Sequence, residues 1–177
     1  DGSGTWDGTS LRWFSSTNVP DTNWPGAFAV AVFGSSGTGT VTVNGTQNVA
    51  GLIFNTAYTL TGGTLAISPS GPLAVNNSAN ATVSSILTGG QALTKTGAGT
   101  LTLNGANIYG GGTLISQSKV VMGQDNALGT GPVTMQSGPG NPTVFLDLNG
   151  HTLTNAIAST GGDCYVYNSS ATPATLA

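Results

Sequence analysis

A short phrase recurs along this chain, and its recurrence constrains the fold more than any other feature of the sequence. The phrase is apolar-polar-apolar-Asn-Gly, and it occurs at residues 41–45, 101–105 and 146–150. Alternation of apolar and polar residues is typical of a β-strand with one buried face. Asparagine and glycine tolerate positive φ, so Asn104 and Gly105, like the other two pairs, allow a sharp turn after the strand. The sequence therefore predicts short strands that end in tight corners.

The same corners allow two architectures. Between two alternating strands, Asn-Gly is the usual loop of an antiparallel β-hairpin. In a parallel β-solenoid, the dipeptide instead marks the corner between two faces of one coil. A second phrase, Gly-Gly-Thr-Leu, recurs at residues 62–65 and 111–114, and the three Asn-Gly copies lie 60 and 45 residues apart. Whole recurring phrases favour the solenoid, with coils of about 20 to 25 residues.

The composition supports an all-β fold and limits the kinds of partner that the protein can bind. Charged residues make up 5% of the chain, against about 25% in an ordinary soluble domain, and glutamate is absent. With only three lysines and arginines as well, the chain lacks the residues that stabilise exposed helices. A surface with so little charge is suited to association, because little like-charge repulsion opposes it. A net charge of −3 argues against nucleic-acid binding, and no apolar run approaches the roughly 20 residues that span a bilayer.

The two ends of the chain differ from the regular middle, which we expect to form coils over residues 27–162. Residues 1–26 contain all three tryptophans, Trp6, Trp13 and Trp24. We interpret them as an aromatic cap or joint at one end of the stack, because large rings can cover backbone groups that an end coil leaves unpaired. The alternative is a platform on which sugar rings stack.

The last stretch, residues 163–177, carries Cys164, Tyr165 and Tyr167 and has no clear stop. It could be a flexible tail, the start of a further coil, or a strand that docks on a neighbouring molecule. A single cysteine cannot form an internal disulfide, and we interpret Cys164 as a small, buried, apolar residue, with an intermolecular bridge or a reactive thiol as the alternative.

Catalytic chemistry finds little support in the sequence. His151 is the only histidine, and Asp147 could meet it across the turn that Asn149 and Gly150 supply. A serine, histidine and aspartate set drawn from composition is weak support for a hydrolase, because nothing assembles the nucleophile, base and oxyanion donors. We therefore expect no enzyme activity, no catalytic residue, no cofactor and no bound metal.

Residues 93–115 carry the most specific pattern in the chain. They read Leu-Thr-Lys-Thr-Gly-Ala-Gly-Thr-Leu-Thr-Leu-Asn-Gly-Ala-Asn-Ile-Tyr-Gly-Gly-Gly-Thr-Leu-Ile. This stretch resembles the autotransporter-associated β-strand repeat, also called the passenger-associated transport repeat. The matching positions are Lys95, Gly97, Gly99, Thr100, Leu101, Leu103, Gly105, Asn107, Tyr109, Gly111, Gly112 and Thr113. The threonine that usually follows the tyrosine of the repeat is replaced by Gly110.

The resemblance implies a right-handed β-solenoid in secreted or surface proteins of bacteria, where the repeat is a structural element. We therefore predict a single all-β domain, a right-handed parallel β-solenoid (β-helix) with an aromatic-rich N-terminal cap. Its inner column should contain Val41, Val43, Leu101, Leu103, Leu146 and Leu148. The residues predicted to carry structure and interactions are Trp6, Trp13, Trp24, Leu101, Leu103, Asn104, Gly105, Tyr109, Gly111, Gly112, Cys164, Tyr165 and Tyr167.

This fold suggests two functions. The first is a non-enzymatic structural subunit of an extracellular filament or surface fibre, because a solenoid with uncapped ends can add copies head to tail. The alternative is an adhesin or glycan-binding segment of a larger secreted protein. Both functions place the protein outside the bacterial cell, with further copies of itself or cell-surface glycans as partners.

Overall fold

The computed structural model describes residues 2–9, 23–34, 37–138 and 143–177, and its regular elements there are twenty β-strands. No helix in these ranges is long and apolar enough to cross a membrane. The strands in chain order are β1 Gly4–Trp6, β2 Val30–Phe33, β3 Gly39–Val43, β4 Thr46–Val49, β5 Gly51–Phe54, β6 Tyr58–Thr61, β7 Thr64–Ile67, β8 Leu73–Asn77, β9 Ala81–Val83, β10 Ile86–Thr88, β11 Leu93–Thr96, β12 Leu101–Leu103, β13 Thr113–Ile115, β14 Ser118–Met122, β15 Val133–Gln136, β16 Val144–Asp147, β17 Thr152–Leu153, β18 Ile157–Thr160, β19 Cys164–Tyr167 and β20 Thr175–Leu176.

The strands form stacked parallel sheets that wind as a β-solenoid. An eight-stranded sheet has the order β1-β3-β6-β9-β12-β14-β16-β19, and a seven-stranded sheet has the order β18-β15-β13-β11-β8-β5-β2. A third face begins with β4, β7 and β10, and β17 pairs with β20 further along. Every strand pair in the described residues is parallel, for example β11 with β8 and with β13. The hairpin alternative therefore does not apply, and the solenoid prediction is confirmed.

One coil of the solenoid takes about 20 residues. Leu73, Leu93, Thr113 and Val133 are partners in register on four successive coils, at intervals of 20 residues. This spacing agrees with the predicted period. Because parallel strands need a long crossover, each coil returns to the same sheet only after it has passed the other faces.

The core is a column of apolar side chains inside the coils. Along the strands, buried and accessible positions alternate, as in β12, where Leu101 and Leu103 are buried and Thr102 between them is partly accessible. Val43, Leu146 and Leu148 are buried as predicted. Val41 is the exception, because it is only partly buried and packs against the side of the core. Fully burying one such side chain contributes about 1.5–3 kcal/mol to the free energy of folding.

Two of the three tryptophans lie inside the N-terminal end of the stack. Trp6 belongs to the edge strand β1, and its ring meets the ring of Trp24 edge-on at a centroid distance of 4.8 Å. The Trp24 indole N–H donates to the backbone oxygen of Asn48 at 2.7 Å. Both rings are buried, so neither offers a free face to a sugar. Trp13 lies outside the described residues, and the cap itself stays a prediction.

Residues 163–177 form a further coil, the second of the three possibilities for this segment. Strand β19 pairs in parallel with β16, and β20 pairs with β17. Cys164 is partly buried, is free, and packs against the core. Donation of this segment to a neighbouring molecule stays a prediction, as does the right-handed winding.

The three Asn-Gly corners are not equivalent, which corrects the prediction for Asn104 and Gly105. Gly45 has a φ of 67°, and Asn149 and Gly150 have φ values of 48° and 85°, as expected. Neither Asn104 nor Gly105 is among the described residues with positive φ. Glycine is required at position 105 for a different reason, because a Cβ there would collide with the backbone oxygen of Ser85 on the preceding coil.

This close approach gives a first prediction. Gly105→Ala should lower the free energy of unfolding by about 1 to 2 kcal/mol, because the added methyl group forces two coils apart. Gly110→Ala is the matched control, since the nearest atom to a Cβ there is the Thr130 hydroxyl oxygen at 3.9 Å and its φ is not positive. The control should change stability by less than about 1 kcal/mol. Equal losses in the two variants, measured by urea denaturation, would contradict this reading of the corner.

Candidate functional site

The stretch that resembles the transport repeat makes one complete coil. It runs through β11 and β12, follows an irregular path over residues 104–112, and returns to the seven-stranded sheet as β13. The irregular part keeps the backbone ladder, because the Ile108 N–H donates to the Leu87 oxygen at 3.0 Å and the Thr130 N–H donates to the Tyr109 oxygen at 3.0 Å. The repeat is therefore the unit of stacking.

Lys95 is buried in this coil and joins two corners. Its Nζ donates to the backbone oxygens of Thr96, Gly97 and Gln117 at 3.0, 2.7 and 3.1 Å. The first two oxygens belong to its own coil, and the third belongs to the next coil. Burial lowers the pKa of Lys95 to about 8, while the three carbonyl oxygens stabilise the ammonium. The ammonium group of Lys95 is thus the hydrogen-bond donor for three carbonyl oxygens at the corners of two neighbouring coils.

Asn107 is bonded through its side chain to two neighbouring coils. Its Nδ2 donates to the Ala127 backbone oxygen at 2.6 Å, and its Oδ1 accepts from the Leu87 backbone N–H at 2.8 Å. These partners lie on the following and the preceding coil, so one side chain joins three coils. In the sequence, Asn107 is a position of the repeat motif, and the motif alone does not indicate this role. One sequence feature was consistent with this role: Asn107 is an amide that follows the small Ala106 and lies shortly before Tyr109 and the glycines of the next corner.

Tyr109 and the glycines complete the interior of the coil. The Tyr109 hydroxyl lies 2.7 Å from the Thr113 hydroxyl, which donates to the Leu128 oxygen at 3.1 Å. Burial raises the pKa of the Tyr109 phenol, although the Thr113 hydrogen bond opposes the shift. Gly112 has a φ of 89°, and a Cβ on Gly111 would collide with the backbone at residues 91 and 92. These residues have structural roles.

The contact between Asp147 and His151 that the sequence allowed does not form. His151 Nδ1 lies 3.3 Å from a carboxylate oxygen of Asp125, and Asp147 accepts from the backbone N–H groups of Asn149 and Ser169 at 3.0 Å each. Burial alone would raise the pKa of Asp147, but hydrogen bonds from Ser169, Asn149 and Tyr167 outweigh it and hold the pKa below its usual value. Asp147 therefore fixes a turn. The described ranges contain no group of three or more His, Cys, Asp or Glu side chains placed to hold a metal ion.

The outer face of the eight-stranded sheet carries a continuous line of threonines. Thr40, Thr59, Thr82 and Thr102 are register partners on successive coils, and we call them the threonine row. They line a shallow groove of about 760 Å³. Within the described part of the chain, their hydroxyl groups have no protein hydrogen-bond partner. The groove therefore presents regularly spaced hydroxyls that can both donate and accept.

An aromatic cluster lies on the same face at the C-terminal end of the groove. It consists of Phe145, Tyr165 and Tyr167. The rings of Phe145 and Tyr165 are stacked with centroids 5.6 Å apart, and Tyr167 meets Phe145 edge-on at 6.1 Å. Tyr165 and Tyr167 are 52% and 37% exposed, so both predicted interaction residues have accessible ring surface.

Lys119, Val121 and Asp147 connect the groove to this aromatic cluster, and Val121 is the register partner of both Thr102 and Asp147. Phe145 is the register partner of Lys119 on one side and of Tyr165 on the other. Lys119 and Asp147 line the groove, and Asp147 is the register partner of Tyr167. The threonine row and the aromatic cluster therefore form one surface, which the sequence did not reveal because their members are about one coil apart in the chain.

Comparison with known proteins agrees with this description. The Passenger-associated-transport-repeat family model matches residues 93–117, which is the coil described above and the start of the next. The chain is also similar to the "Adhesin BmaC autotransporter" of Brucella suis biovar 1 (strain 1330), with 32% identity over 169 residues. That alignment covers 91% of this chain and 5% of the relative, so the chain spans a small part of the relative's length. No solved structure matches the chain significantly.

Proposed function

We propose, on the premise that this chain is a passenger-associated-transport-repeat protein built as a β-solenoid, that it is part of the passenger of a bacterial surface adhesin. The observation that carries this proposal is the similarity to an autotransporter adhesin, which extends over 91% of the chain. In this role the protein is secreted to the cell surface and is not an enzyme. Parallel coils supply a stiff rod, and the outer sheet faces supply the contact area.

The solenoid suits this role because its stability comes from neighbouring coils. Each coil bonds to the one before and the one after it, as Asn107 does, so a long passenger can be extended by adding repeats. Several side chains that point outward, such as those of the threonine row, make no hydrogen bond to a neighbouring coil. They are free to change with the binding partner.

A bead assay tests the adhesin proposal. Beads coated with the folded chain should bind to cultured animal cells or to immobilised extracellular-matrix proteins more than beads coated with the heat-unfolded chain or with albumin. Equal retention of all three bead types, with folding of the coated chain verified by circular dichroism, would overturn the proposal.

The second candidate function is a subunit of a surface filament, in which copies of the solenoid stack end to end. The composition favours it, because charged residues make up 5% of the chain and little like-charge repulsion would oppose such stacking.

Sedimentation velocity and electron microscopy test the filament candidate. Head-to-tail stacking predicts a sedimentation coefficient that rises with protein concentration. Monomeric particles over the whole concentration range would contradict it.

A further inference from the structure

We propose that the groove on the eight-stranded sheet binds a neutral glycan, with the threonine row and the aromatic cluster as its recognition surface. This inference rests on the proposed adhesin function and names the ligand class and the residues. It also moves the expected sugar contact from Trp6 and Trp24, which are buried, to the other end of the chain.

The aromatic cluster provides the stacking surface that sugar rings require. The faces of a pyranose ring carry C–H groups, and these pack against aromatic rings, which combine a large apolar area with a negative face. Tyr165 and Tyr167 are exposed, and Phe145 supports Tyr165 from the side in a stacked arrangement. The supported rings lose little conformational freedom when a ligand binds.

The threonine row provides the hydrogen bonds that sugar hydroxyls require. Four threonines on adjacent strands extend over roughly 14 Å, because parallel strands lie about 4.8 Å apart. A groove of about 760 Å³ is within the usual size range of ligand sites. Because the hydroxyls of the row have no protein partner in the described residues, a ligand can bind to them without displacing a protein contact.

The charge of the groove argues for an uncharged ligand. Lys119 is the only lysine or arginine among the described residues with accessible surface, since Lys95 is buried. The lining also includes Asp147, whose Oδ1 atom already accepts two backbone hydrogen bonds. Sulfated or phosphorylated polymers are bound by several Lys or Arg side chains, and this face does not supply them.

The seven-stranded sheet provides an internal comparison. Its outward row on successive coils reads Ala74, Thr94, Leu114, Thr134 and Ala158. Hydroxyls there are interrupted by apolar side chains. The eight-stranded sheet differs because four threonines follow one another in register there before Val121 ends the row.

The test uses an array of neutral oligosaccharides, followed by calorimetric titration of the strongest hit. Tyr165→Ser and the double variant Thr82→Val with Thr102→Val should each weaken binding by about tenfold or more. Two control variants make comparable changes elsewhere: Thr134→Val on the seven-stranded sheet, and Phe28→Ser, whose ring is 78% exposed. Both controls should bind as the parent does, within about twofold.

The possible outcomes separate this inference from the adhesin proposal. Selective loss in the groove variants, with unchanged thermal unfolding, supports the inference. No array binding above background, or equal loss in the control variants, overturns it. If the coated beads still adhere to cells or matrix in that case, the adhesin proposal stands without the glycan site, and if they do not adhere, both proposals fail.

Discussion

Asn107→Ala is expected to lower the free energy of unfolding by about 3 to 4 kcal/mol. The substitution removes an amide that is 1% exposed and leaves the Leu87 N–H and the Ala127 oxygen buried without their side-chain partner. A buried donor or acceptor without a partner costs about 1–3 kcal/mol, and this variant creates one of each. Equilibrium unfolding in guanidinium chloride, followed by circular dichroism, measures the change.

The control for this variant is Asn104→Ala in the same repeat. Asn104 is exposed, and its Nδ2 donates to the Ser84 hydroxyl at 3.2 Å on the surface of the solenoid. Water can replace that bond, so the loss should be below about 1 kcal/mol. If the two variants are equally destabilised, the amide of Asn107 does not have the stacking role that its contacts indicate.

The second large effect is an increase in stability with pH that depends on Lys95. The pKa of this lysine is about 8 in the folded protein and about 10.5 when it is fully hydrated, so the unfolded chain binds more protons between these values. Stability rises with pH wherever the unfolded state binds more protons. Between pH 7.5 and 10 the free energy of unfolding should increase by roughly 2 to 3 kcal/mol.

Lys95→Met tests the source of this slope. Methionine has a similar length and no charge, so the increase between pH 7.5 and 10 should disappear in the variant. The measurement stops at pH 10, because the raised pKa of Tyr109 has the opposite effect above that pH, where the unfolded chain loses its phenol protons. The same slope in the variant and the parent would show that Lys95 does not cause it.

The fold was predictable from the sequence because each coil stacks in the same way, so the same short phrases recur along the chain. Recurring phrases gave the parallel solenoid, the coil length and most of the inner column, including Leu101 and Leu103. Lys95 shows the limit of this reasoning. Lys95 lies two residues after Leu93 in the same strand, so the alternation places both side chains on the inward face. The pattern gives no sign that three backbone oxygens surround the ammonium group of Lys95.

The corners and the candidate site were harder to predict, for two physical reasons. Asn-Gly can be selected for positive φ, as at Asn149, or for a close approach of two coils, as at Gly105, and the dipeptide is the same in both cases. The groove is lined by residues such as Thr82 and Thr102, which lie side by side only in the exact register of their two strands. A change of one residue in the coil length would bring other side chains beside them.

A deletion of one whole coil tests the central claim, that the repeat is the unit of stacking. Removing residues 93–112 joins the chain one turn later, so that β8 can pair with β13 and β9 with β14, in the places of β11 and β12. Removing only residues 93–102 takes out half a coil, so that β13 and β14 lose the strands β11 and β12 on which they stack and the chain re-enters on the wrong face of the solenoid. Circular dichroism should show a β-rich, cooperatively unfolding protein after the 20-residue deletion and an unfolded or aggregated chain after the 10-residue deletion. Loss of folding in both chains, or its retention in both, would contradict the claim that the repeat is the unit of stacking.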